Sequence, residues 1–234
     1  MSELENLQKK LKKLADPVRA KLLQGYFKTG KGEYGEGDIF LGITVPVSRK
    51  TAVEFKNLPF SDIVRLLESK FHEERLTALL ILVQRFNKGN EKTKKEIYRF
   101  YLKNTKYINN WDLVDLSSHE IVGNYLLDKD KSVLLKLAKS KNIWERRIAC
   151  ISTFEFIRNN QFAVSLKLAE VLLQDEHDLM RKAVGWMLRE IGKKNLKTEI
   201  EFLDKYSKTM PRTMLRYAIE KFPEKQRITY LKKN

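Results

Sequence analysis

Along most of the chain, apolar residues return every three or four positions. Within 76–83, Leu76, Leu79, Leu80 and Val83 fall at i, i+3, i+4 and i+7, the spacing of one face of an α-helix. Leu4, Leu7, Leu11 and Leu14 do the same near the start, with Lys9, Lys10, Lys12 and Lys13 around them. The same period predicts helices near 17–29, 46–56, 61–69, 91–103, 111–127, 131–139, 143–157, 161–173, 178–192, 196–206 and 211–221. No segment sustains the alternation of a half-buried strand. The fold class expected is all-α.

The helices also recur. Segments that open polar or basic and then turn apolar begin near Glu74, Asn110, Glu145, Met180 and Arg212, in steps of roughly 35 residues, the length of one helix–turn–helix unit. Short connections at Lys139–Asn142 and Asp175–His177 suit antiparallel neighbours. The expectation is one HEAT-like α-solenoid domain over 1–234, with stacked helix pairs and a concave basic groove. An ordinary helical bundle is the alternative. Residues 30–38, GKGEYGEGD, hold four of the ten glycines and formally match G-x-G-x-x-G. That motif binds a dinucleotide only between a strand and a helix, whereas here a helix precedes and an extended DIFLGITV follows. A mobile Gly-rich loop able to cover a ligand is the expected structure.

Charge changes the picture more than composition does. Forty-six Lys and Arg against 30 Asp and Glu give a formal charge of +16, which favours a polyanionic partner. A hydrophobic fraction of 42% excludes a disordered chain. One cysteine, Cys150, excludes an internal disulfide, and the scattered His72, His119 and His177 argue against a metal site, so no cofactor is expected. No leader sequence and no membrane-length apolar run is legible, which points to a cytoplasmic, nucleoid-associated monomer.

Candidate chemistry comes from polar and aromatic residues placed off the core stripe. Ala183, Val184, Met187, Leu188 and Ile191 share one side of their helix, and Lys182, Trp186 and Arg189 project nearly opposite. An indole between two cations reads either as a packing residue or as a stacking platform flanked by phosphate-binding charges. Asn110 is a candidate N-cap, which sets Trp111 and Asp115 one turn apart on one face. Asp112, in the first turn, reads as the structural acid, and Asp115 as the candidate for chemistry or for a salt bridge. Arg146 and Arg147 could grip phosphate, one of them being expected on a solvated face. Arg181 with Lys182, and Arg212 with Arg216, place further cations in later repeats.

At these residues the sequence resembles the AlkD-type family of HEAT-like DNA alkylpurine glycosylases. The likeness runs through Gln24–Lys28, Phe40–Ile43, Trp111–Asp115, Asn142–Arg147 and Lys182–Glu190. The resemblance implies hydrolysis of the N-glycosidic bond of cationic alkylated purines, N3-methyladenine and N7-methylguanine, in double-stranded DNA, without cofactor. It gives Trp111 and Trp186 to an aromatic cleft, Tyr26 to its lining, Asp115 to the catalytic carboxylate and Arg147 to DNA contact. The chain departs from the family at the longer 30–38 loop and at Asn110, where an aromatic can occur. A non-catalytic binder of branched or damaged DNA using the same groove is the second reading. A protein-binding scaffold is the third.

Overall fold

The computed structural model describes residues 2–232. Its helices are α1 (Glu3–Lys13), α2 (Pro17–Tyr26), α3 (Val45–Glu54), α4 (Phe60–Leu67), α5 (His72–Lys88), α6 (Glu91–Lys103), α7 (Trp111–Asp115), α8 (Asn124–Leu126), α9 (Ser132–Leu137), α10 (Ile143–Arg158), α11 (Ala163–Val171), α12 (Asp178–Lys194), α13 (Leu196–Tyr206), α14 (Arg212–Ala218) and α15 (Glu224–Lys232). Among the described residues there is no strand, only one isolated bridge between Ile39 and Phe71. The fold is all-α. No described helix is long and apolar enough to cross a membrane. The chain divides into two compact units, Met1–Ser117 and Ser118–Asn234.

Local chemistry sets the helix starts. Ser2 and Glu5 close a capping box on α1, and Asp16 caps α2 just ahead of Pro17. Asn90, Asn110, Asn142 and Asn195 each accept a backbone N–H at the start of α6, α7, α10 and α13. In the first unit α5 is the central element, buried along most of its length and packed against α1, α3, α4, α6 and α7. In the second unit α10, α12 and α14 pack in succession, so helices two apart in the chain are neighbours, as stacked helix pairs require.

The segment predicted as one helix over 111–127 is broken. It stops after Asp115, turns through Leu116 and Ser117, and resumes at Ser118 with a widened turn over His119–Gly123 before α8. Ser117 explains part of the break: its hydroxyl bonds the Leu113 carbonyl and meets the Tyr101 hydroxyl at 2.8 Å, pulling the chain toward α6. The 30–38 loop is anchored at its end. Backbone bonds link Gly35 to Lys28, Glu36 to Glu33 and Asp38 to Gly35, and Asp38 is buried. The following 39–43 segment has no partner strand, yet the Glu73 carboxylate accepts the N–H groups of Leu41, Gly42 and Ile43 at 2.8–3.1 Å. Gly42 has φ +83°, and a side chain there would overlap the Asp16 carbonyl.

Candidate functional site

In the first unit the site is built on a column of rings. Trp111 stacks on Phe27 with centroids 5.0 Å apart and planes at 11°. Phe27 stacks on Phe40 at 4.7 Å, and Phe40 on the His72 imidazole at 4.4 Å. Tyr26 meets Trp111 edge-on at 6.0 Å while remaining 66% exposed. Three rings of this column are buried and Trp111 is half-buried, so one flat indole is presented on a fixed support. Asp115, half-buried, stands one turn along from Trp111 on α7. Burial, together with the Asp115 charge nearby, raises the pKa of the Tyr101 phenol.

Beneath the rings lies a buried charge network. His72 Nδ1 lies 3.0 Å from Asp38 and its Nε2 2.8 Å from Asp112. Arg75 pairs with Asp38, and Asn110 donates to the same carboxylate at 3.0 Å. Burial alone would lower the His72 pKa, but Asp112 and Asp38 outweigh it and raise it to about 9. At neutral pH the ring is therefore an imidazolium between two carboxylates. For Asp38, burial pushes upward, and the His72 and Arg75 contacts overcome it, leaving the carboxyl below its usual range. Because Asn110 and Asp112 flank Trp111, these bonds fix the start of α7 and with it both Trp111 and Asp115. Asp112 is structural, as expected, but its partner is His72 rather than the helix dipole alone. Sequence reasoning missed His72, since nothing in HEER shows that its two partners come from positions 38 and 112.

In the second unit Trp186 is half-buried on α12, while Ala183, Val184, Met187, Leu188 and Ile191 are buried on the opposite stripe. Its indole N–H donates to Glu190 at 3.0 Å, and Glu190 also accepts from Lys193 at 2.7 Å. Phe154 packs 5.9 Å from the same ring. The two flanking cations are both paired, Lys182 with Asp178 at 2.7 Å and Arg189 with Glu220. Glu190 is a residue the sequence reading passed over, although its place one turn beyond Trp186 was a usable signal.

The arginines divide differently from the expectation that one of Arg146 and Arg147 is solvated. Arg146 is held by Asp175 at 2.7 Å and by the Ser140 and Lys141 carbonyls. Arg147 is only 5% exposed and donates to the Leu179 carbonyl at 2.6 Å. Arg146 braces the loops before α10 and α12, and Arg147 the first turn of α12. Arg212 and Arg216 are the exposed pair on α14, Arg212 donating to the Leu231 carbonyl.

A solved structure described as a predicted DNA alkylation repair enzyme from Enterococcus faecalis superposes with a TM-score of 0.69. It is 16% identical, and the match covers 90% of this chain and 97% of that one, which shows a shared fold. No curated protein matches by sequence. The model of the DNA alkylation repair enzyme family matches residues 7–222, a span that takes in both units and every helix from α2 to α14. With nearly the whole chain accounted for in this way, the protein belongs to the DNA alkylation repair enzyme family.

Proposed function

We propose that the protein is a DNA glycosylase that hydrolyses the N-glycosidic bond of cationic alkylated purines, N3-methyladenine and N7-methylguanine, in duplex DNA. The observation that carries the reading is Trp111, a half-buried indole backed by a ring column, with Asp115 one turn away on the same short helix. An alkylated purine already carries positive charge, so it departs with the bonding electron pair and needs no strong acid. Positive charge then grows on the sugar, and water adds at the anomeric carbon and loses a proton. The Asp115 carboxylate acts by stabilising that sugar charge and orienting the water. Trp111 and Tyr26 supply π faces and edges that favour a cationic base. The resemblance gives Trp186 the same class of contact. Arg216, exposed on α14, is the better placed of the predicted cations for phosphate, followed by the exposed Arg212, which donates to the Leu231 carbonyl; Lys182, Arg189, Arg146 and Arg147 reach DNA only by giving up present partners.

Duplexes carrying N7-methylguanine or N3-methyladenine test this by release of free base. The wild type should release it, and Asp115→Asn should lose about 100-fold or more while DNA binding persists. No release from either lesion by the wild type overturns the proposal. Salt-sensitive binding without release would instead leave the non-catalytic DNA binder.

A further inference from the structure

A second feature of the first unit lies at the other end of α5. A cleft of about 390 Å³ opens there, lined by Lys56, Asn57, Gln84, Arg85, Lys88 and Thr93, with no carboxylate on its wall. Its cations stand apart from the pairing seen around them. Lys10 is taken by Glu54, Lys94 by Glu91 and Arg65 by Asp62. Among the described residues, Lys56 and Lys88 have no acidic partner. Arg85 donates to the Leu58 carbonyl at 2.8 Å and lies over the Phe60 ring, which holds its charge in place without neutralising it. Sixteen residues of helix separate His72 from Lys88, about 24 Å, so this cleft is not part of the ring column.

We propose that this cleft is a separate binding site for a nucleotide phosphate. Lys56, Lys88 and the fixed Arg85 provide the positive field for the phosphate oxygens. Asn57 and Thr93 add neutral polar groups on the same wall for a sugar hydroxyl or base of the nucleotide. The volume lies at the lower end of small-molecule sites and suits one nucleotide. The phosphate belongs either to a free nucleotide or to a DNA strand passing the cleft.

Titration of the full-length, nitrogen-15-labelled protein tests the proposal, with deoxyadenosine monophosphate as one probe and a short unmodified duplex as the other. The amide signals of Asn57, Lys88 and Thr93 should shift and saturate, and the mononucleotide should leave the Trp111 indole signal in place. Saturation by the mononucleotide identifies a free ligand, and saturation by the duplex alone identifies a DNA backbone contact. Lys56→Ala with Lys88→Ala should weaken that binding about tenfold. Lys12→Ala with Lys13→Ala, an equal loss of charge on α1, should leave it unchanged. The proposal is overturned if neither probe moves these amides, or if both double variants weaken binding equally. Base release plays no part in the readout, so the site stands or falls independently of the proposed glycosylase activity.

Discussion

Buried carboxylic acids of the two units, Asp38 and Glu199, are kept in opposite states. Asp38 in the first unit is contacted by His72, Arg75 and Asn110 and stays ionised. Glu199 in the second lies on α13 with its Oε1 lacking a partner, and burial pushes it up to about 8, against the pull of Arg189 and with help from Glu190. A buried charge survives only where hydrogen-bonded counter-charges replace the lost water; otherwise the group takes up a proton. The first unit spends such a network on fixing the helix that carries Trp111. The second holds Trp186 by a bond to Glu190, whose remaining partners are the more exposed Lys193 and Arg189.

The sharpest way to break the contrast is to remove the centre of the network. His72→Ala leaves Asp38 and Asp112 without their shared cation and should cost about 3–5 kcal/mol in urea unfolding, with changed Trp111 fluorescence. Acidity probes the other side. Glu199 holds a proton in the folded state that the unfolded chain releases near 4.5, so it lowers stability as pH rises from there to about 8. Glu199→Gln should abolish that decline and raise stability at pH 8, as read from pH-dependent unfolding. The His72 contribution is complete below its ordinary 6.5 and disappears as pH rises through about 9. That loss should therefore remain in Glu199→Gln.

Smaller effects belong to α12. Gly185 packs on the Met214 carbonyl so closely that a methyl group would overlap it. Gly185→Ala should spread α12 from α14 and lower stability by roughly 2 kcal/mol in thermal unfolding. Glu190→Ala removes the Trp186 acceptor and should cost about 1 kcal/mol or less, while shifting the near-ultraviolet dichroism of that indole. The corresponding signal from Trp111 should be unmoved.

The helices were legible because their signals are local. Leu4, Leu7 and Leu11 are buried as their spacing predicts, and α6 and α13 begin and end where the pattern places them. The cap at Asn110 and the core stripe of α12 were legible for the same reason. What was hidden depends on residues distant in sequence. Ser117 breaks the helix after Asp115 through the Tyr101 hydroxyl, and α15 carries too weak an apolar period to announce itself. The anchor of the 30–38 segment, Asp38, was hidden because it works through residues from α5 and the start of α7. Arg146 and Arg147 read as a phosphate grip with one of them solvated, and only the positions of Asp175 and Leu179 reveal their bracing role. A charged residue's type is local, whereas its partner is a property of the fold.

The Glu73 carboxylate gives the 39–43 segment an unusual inheritance. It stands in for a neighbouring strand, taking three successive main-chain donors on two oxygen atoms. Because those bonds run through main-chain atoms, the identity of the loop residues hardly enters into them, apart from the glycine at 42. The side chains of Phe40, Leu41 and Ile43 are thereby left to the core and the ring column, while a single exchange at position 73 would strand all three amides at once.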